Sequence, residues 1–197
     1  MKKIAVTGGI ATGKTTVGCI LKSCGAYFIE IDKTVHKILK EDEECINLIK
    51  KTIGIDIFSN GIIDREKLAQ KVFADNESLN KLESILHPKL IEEIKQKFLA
   101  VENNSKYKAF VVEMPLVQER QFEPFFDIVI NVSAARNIAL GRYVSDGNSE
   151  KSYEARMQYQ FSNKKKCLYA DFVISNEGSL ERLTKQTKEL IKEICSR

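Results

Sequence analysis

Apolar positions along this chain fall into two alternating patterns, and their order predicts an α/β fold. Ile4-Ala5-Val6, Ala26 to Ile31, Tyr107 to Glu113, Asp127 to Val132 and Phe172-Val173-Ile174 are short, apolar and rich in β-branched residues. Such runs suit strands buried on both faces of a parallel sheet. Between strands the period changes: Val17, Ile20, Leu21 and Cys24 recur at i, i+3, i+4 and i+7, the apolar stripe of a helix packed on the sheet. Leu180, Leu183, Leu190, Ile191 and Ile194 repeat that stripe at the end of the chain. Five strands with intervening helices predict a doubly wound five-stranded parallel sheet, whose ligands bind beyond the carboxyl ends of the strands.

The alternation breaks once. The second strand is expected to end at Asp32, and residues 33 to 104 carry helical spacing with no strand signal. Val35, Ile38, Leu39, Ile46 and Ile49 predict one helix of about 18 residues. Gly54 and Ser59-Asn60-Gly61 punctuate an irregular piece, and Asp64 is placed to cap a helix burying Leu68, Val72 and Phe73. Leu79, Leu82 and Leu86 lead to His87-Pro88, where proline suits the first turn of a new helix through Leu90, Ile94 and Phe98. This predicts a helical insertion over 33–104 in a core made of 1–32, 105–141 and 168–197. A helix over Ala134 to Val144 leads into a polar stretch, and residues 142–167 are expected to form a lid.

Composition narrows the function classes. A chain of 197 residues accommodates one domain with an inserted subdomain, and 43% hydrophobic against 29% charged residues excludes a disordered chain. No apolar run reaches the ~20 residues of a membrane span. The chain starts with two lysines that lead straight into a strand, so we expect a cytoplasmic protein with no membrane partner. A net charge of +4 is too mild to argue for nucleic acid and suits a small anionic substrate. Five scattered cysteines without a C-x-x-C pair predict reduced thiols rather than disulfides or a zinc site.

The chemistry is concentrated between the first strand and the first helix. Gly8-Gly9-Ile10-Ala11-Thr12-Gly13-Lys14-Thr15 satisfies G-x-x-x-x-G-K-[ST], the phosphate-loop pattern, in the strand–turn–helix setting it requires. Backbone N–H groups of the loop and of the helix start can wrap a triphosphate, with the helix dipole adding positive potential. Lys14 would reach the β- and γ-phosphates, and the Thr15 hydroxyl would take a place on Mg²⁺. Gly9, Ile10, Ala11, Thr12, Gly13 and Thr16 complete the ATP-binding set.

Two carboxylates stand at strand ends. Asp32 is placed to accept the proton of a substrate hydroxyl attacking the γ-phosphate, or else to cap the next helix. Glu113 is a candidate for holding Mg²⁺ or its waters, though an acid at a strand end is common. From 142 to 166, Arg142, Lys151, Arg156 and Lys164-Lys165-Lys166 outnumber Asp146, Glu150 and Glu154. Such a run is either a solvated face or a mobile basic lid over the triphosphate. His87 more often caps or packs than catalyses in this setting, and His36 has no functional reading.

Together these stretches resemble the dephospho-CoA kinase family over nearly the whole chain. The resemblance is carried by Val6 to Thr15, Glu30-Ile31-Asp32, Asp64-Arg65 with Leu68 and Val72-Phe73, and Leu86-His87-Pro88. It continues through Pro115-Leu116-Val117 with Glu119, Arg156-Met157 with Gln160, and Ala170-Asp171 with Val173-Ile174 and Asn176. It implies a phosphate-loop kinase core, a helical CoA-binding domain and a lid, with γ-phosphate passing from ATP to the ribose 3′-hydroxyl of dephospho-CoA in the last step of CoA synthesis. On that resemblance Lys14 and Thr15 hold triphosphate and Mg²⁺, and Asp32 is the base and contacts the acceptor. Arg65 and His87 lie on the acceptor side, while Arg156, Gln160 and Asn176 belong to the lid and nucleotide end. The family's lid arginine aligns with Gly141, so Arg142, one place on, becomes the catalytic candidate; Ser145 replaces a second arginine and Glu30 an aspartate. The alternatives are another phosphate-loop small-molecule or nucleoside kinase, or a catalytically weak CoA- or nucleotide-binding protein. A GTPase lacks support, since Asn163-Lys164 is followed by lysines rather than the aspartate that reads guanine.

Overall fold

A computed structural model describes residues 1–196. Two compact units emerge, one of Met1–Glu30 and the chain from Val101 on, the other of Ile31–Ala100. Among the described residues no helix is long and apolar enough to cross a membrane.

The first unit is built on β1 (Lys2–Gly8), β2 (Ala26–Glu30), β5 (Ala109–Glu113), β6 (Ile128–Ser133) and β7 (Phe172–Ser175), numbered with the short strands of the second unit. They form one sheet in the order β2-β5-β1-β6-β7, and every pair is parallel. The register aligns Glu30 with Glu113, Val6 with Glu113 and Thr7 with Asn131, so the carboxyl ends of the three inner strands finish together. Helices α1 (Lys14–Ser23) and α9 (Leu180–Ser196) share a core with the sheet. Ile4, Val6, Val17, Leu21, Val111, Ile130, Ile174 and Ile194 belong to that core, each at most 2% exposed. At roughly 1.5–3 kcal/mol per buried aliphatic side chain, this core is what holds the strand ends in place. Helices α6 (Arg136–Ser145) and α7 (Glu150–Met157) share a smaller cluster, in which Ala139, Tyr143 and Tyr153 pack with Ile10 and Ala11 of the phosphate loop.

The second unit holds α2 (Ile31–Glu41), α3 (Glu43–Thr52), α4 (Arg65–Ala74) and most of α5 (Asn76–Val101). Its core includes Ile38, Leu39, Cys45, Ile49, Leu68, Val72, Leu82 and Leu90.

Four local expectations are corrected. The second strand stops at Glu30, and Ile31 and Asp32 open α2; Ile31 is buried in that helix, so its apolar character could not distinguish strand from helix. The single helix expected after it is two, broken at Asp42, whose carboxylate caps α3 by accepting from Cys45 N at 2.9 Å. The irregular piece is a β-hairpin, β3 (Phe58–Ser59) with β4 (Ile62–Ile63), turned by Asn60 (φ 51°) and Gly61 (φ 79°). Two left-handed residues in succession define the turn that asparagine-glycine favours. Finally, Pro88 lies inside α5 rather than starting a helix. Its missing N–H denies Ser84 its usual partner, a loss borne by apolar burial of Leu82, Leu86, Leu90 and Ile94 on either side.

Candidate active site

The phosphate loop follows β1 directly because Gly8 and Gly13 permit what other residues would not. Gly8 (φ 150°) lies against β6 so closely that a Cβ would collide with the Val132 carbonyl oxygen. Gly13 (φ 98°) is the N-cap of α1 in a left-handed conformation, which a Cβ disfavours. Within the loop, Thr12 Oγ1 donates to Gly9 O at 3.0 Å, and Lys14 Nζ donates to the same carbonyl at 2.8 Å. No side chain caps α1, and its first turn carries no acidic residue. Its leading N–H groups are therefore left to an anion, with no acidic side chain of the helix's own first turn to repel one.

Thr15, in that first turn, donates from Oγ1 to Oε1 of Glu113 at 3.0 Å. Glu113 ends β5 and is 9% exposed. A hydroxyl and a buried carboxylate present only hard oxygen donors, which fits Mg²⁺. That ion takes one or two protein oxygens and completes its shell with phosphate and water. Among the described residues no group of three or more His, Cys, Asp or Glu side chains is arranged to hold a metal by itself.

On the other side of the loop, Asn176 follows β7 and is 7% exposed. Its Nδ2 donates to Thr12 O at 2.8 Å, and its backbone carbonyl accepts from Arg142 Nη2 at 3.0 Å. Arg142 is half-buried, and its Nη1 is buried without a hydrogen-bond partner. The loop, Glu113, Arg142 and Asn176 are thus brought together within the first unit.

The remaining sequence candidates are distributed differently. Asp32 is exposed in the first turn of α2, two residues past the end of β2. Arg65 opens α4 and places Nη1 at 3.2 Å from Nδ1 of His36, a histidine the sequence reading passed over. His87 sits in α5 and is partly buried. Arg156 is exposed, 6.0 Å from the ring centroid of Tyr143, and Gln160 keeps its Oε1 buried without a hydrogen bond.

The basic run of the expected lid needs correction at one position. Lys164 and Lys165 are exposed on α8 (Asn163–Leu168), whereas Lys166 is fully buried and paired with Glu119 at 2.7 Å. Its Nζ also donates to Pro115 O at 2.7 Å. Burial pushes the Lys166 ammonium below its ordinary range, and Glu119 opposes that shift. Lys166 is a structural charge, not one free to cover a phosphate. Three consecutive lysines gave no sign of which would turn inward, and Glu119, set among the polar Gln118, Arg120 and Gln121, gave none of its pairing. Thr7 was also missed, and donates from Oγ1 to the same Pro115 carbonyl at 3.0 Å.

A parallel sheet with β1 at its centre, a phosphate loop feeding α1, and a Thr15–Glu113 pair beside it define a phosphate-loop kinase. Within that class the chain belongs to the dephospho-CoA kinase family, whose model matches residues 2–182. It is 36% identical to the dephospho-CoA kinase of Protochlamydia amoebophila over 196 residues, covering 98% of this chain and 97% of that one. A solved dephospho-CoA kinase from Campylobacter jejuni is 30% identical, with a TM-score of 0.72, covering 98% of this chain and 97% of that one. A crystal structure from Thermus thermophilus is 28% identical, with a TM-score of 0.82 and the same coverage.

Proposed function

We propose that this kinase transfers the γ-phosphate of ATP to the ribose 3′-hydroxyl of dephospho-CoA, giving CoA and ADP. The family match across residues 2–182, on a chain whose loop leaves α1 uncapped and free of acids, carries the reading. In the reaction the 3′-oxygen bonds to the γ-phosphorus as its proton passes to the Asp32 carboxylate. The bond from phosphorus to the β–γ bridging oxygen breaks, and its electrons leave with ADP. Lys14 and the loop N–H groups bind the triphosphate and offset the charge that gathers on it. Arg142 contributes its Nη1 toward phosphate oxygen, since Nη2 is held by Asn176. Mg²⁺ would be held through Thr15 and Glu113, and when bound it supplies neutralising charge across the β- and γ-phosphates. Arg65 and His87, in the unit of residues 31–100, belong to the acceptor side.

ATP consumption across a panel of ribose-bearing acceptors tests the assignment. Dephospho-CoA is expected to exceed adenosine and AMP by orders of magnitude, and equal rates would overturn it. Asp32→Asn should leave ATP binding intact while turnover falls by orders of magnitude, because the lost contact acts in the transition state. A rate within a few-fold of wild type would remove Asp32 from the base role.

A further inference from the structure

Asn176 makes a set of contacts that none of its isosteres reproduces. Its backbone N–H donates to Ser133 O at 2.8 Å, which seats the residue on the end of β6. Its side-chain Nδ2 donates to Thr12 O at 2.8 Å, while Arg142 Nη2 donates to its backbone carbonyl at 3.0 Å and approaches its Oδ1 at 3.5 Å. The amide orientation follows from chemistry. A carbonyl can only accept and a guanidinium can only donate, so a flipped amide would set oxygen against oxygen and nitrogen against nitrogen.

The consequence lies in the next peptide. In a trans peptide the carbonyl of Thr12 and the N–H of Gly13 point in opposite directions. Drawing Thr12 O toward Asn176 therefore turns the Gly13 N–H away from Asn176. The same closeness explains Gly13 itself, where a Cβ would collide with Nδ2 of Asn176.

We infer that Asn176 is a positioning residue for phosphate binding. It locks the Thr12–Gly13 peptide so that the Gly13 amide faces the triphosphate, and it holds the Arg142 guanidinium with Nη1 uncommitted. It acts through the loop and Arg142, not by touching the nucleotide. The inference rests on the reading that Gly8 to Thr15 holds the phosphates of ATP, and it does not depend on the acceptor.

Binding of a non-hydrolysable ATP analogue, measured calorimetrically, tests it without any acceptor. Asn176→Ala is expected to weaken the analogue roughly tenfold or more, the equivalent of losing about one hydrogen bond to a charged group. Affinity for dephospho-CoA should stay within about twofold, so KM for ATP rises while KM for the acceptor does not. Asn176→Leu keeps the branched outline in a bulkier, non-polar form and should show the same loss, which serves if the alanine variant folds poorly. In combination with Arg142→Ala, the effects of Asn176→Ala should be less than additive, as for residues sharing one network. Analogue affinity within about twofold of wild type in the leucine variant would overturn the inference, as would equal loss for both substrates. If wild type failed to phosphorylate dephospho-CoA but its ATP affinity still depended on Asn176, the acceptor assignment would fall and the positioning role would stand.

Discussion

At the scale of single residues, the proposed reaction separates groups that would bind charge from groups that would arrange them. Lys14 would belong to the first kind. Lys14→Ala should lower both ATP affinity and turnover, the latter by roughly 10²-fold or more, and an unchanged rate would remove the loop from the reaction. Glu113 would belong to both, since it arranges Thr15 and would help to hold Mg²⁺. Its Oε1 accepts the Thr15 hydroxyl proton, which leaves the lone pairs of that hydroxyl for a cation. Glu113→Gln retains the shape and removes the charge, so the Mg²⁺ concentration at half-maximal rate should rise roughly 10- to 100-fold. Direct binding of Mn²⁺ to the ATP complex, followed by electron paramagnetic resonance, should weaken in parallel. Unchanged metal dependence would place Glu113 outside the metal's surroundings.

Elements show most plainly what can be read from the sequence and what cannot. Asp42 breaks what periodicity alone joins, because helical spacing of apolar residues continues through a cap that only the carboxylate reveals. Its hydrogen bond from Cys45 N, the largest influence on it, holds the Asp42 carboxyl below the ordinary aspartate value of 3.8. The charged form thus favours the fold, fully so above that value, and the contribution disappears as pH falls through the lowered folded pKa. Asp42→Ala should accordingly destabilise by about 1 kcal/mol at neutral pH, with a smaller difference from wild type in urea titrations near pH 3. Asn60-Gly61 was a legible hairpin signal hidden by strands of only two residues. Lys166 was not legible at all, since its partner lies 47 positions away and charge runs usually face water. Breaking that pair with Lys166→Met leaves the Glu119 carboxylate, 5% exposed, without its counter-charge. Loss of about 3–5 kcal/mol is expected, whereas Lys166→Met with Glu119→Leu should regain most of it. A double variant as unstable as the single one would mean that the pair is not what α8 depends on.

For the whole molecule, the alternation of buried strands and amphipathic helices was enough to place five parallel strands, because a sheet covered on both faces leaves continuous apolar runs. The phosphate loop was equally legible, since its glycines are demanded by contacts with Val132 and Asn176 that no other residue type permits. What the sequence could not supply was the network behind the loop, where Arg142 and Asn176 meet from segments 34 residues apart. The division of the chain at Glu30–Ile31 and Ala100–Val101 makes a last expectation possible. If triphosphate is held by the first unit and acceptor recognition depends on residues such as Arg65 and His87 in the second, each substrate should protect different amides from hydrogen exchange. An ATP analogue alone should slow exchange in residues 8–16, where the loop N–H groups gain an acceptor. Dephospho-CoA alone should slow exchange within residues 31–100, and its effect should be lost in Arg65→Ala at concentrations that saturate wild type. Binding to the native form raises the free energy of the openings that allow exchange by about 2.7 kcal/mol at a hundredfold excess over Kd, well within the range that mass spectrometry resolves. Protection of 8–16 by dephospho-CoA with none in 31–100 would mean that the acceptor is read by the phosphate-loop unit, and Arg65 and His87 would then have no part in its recognition.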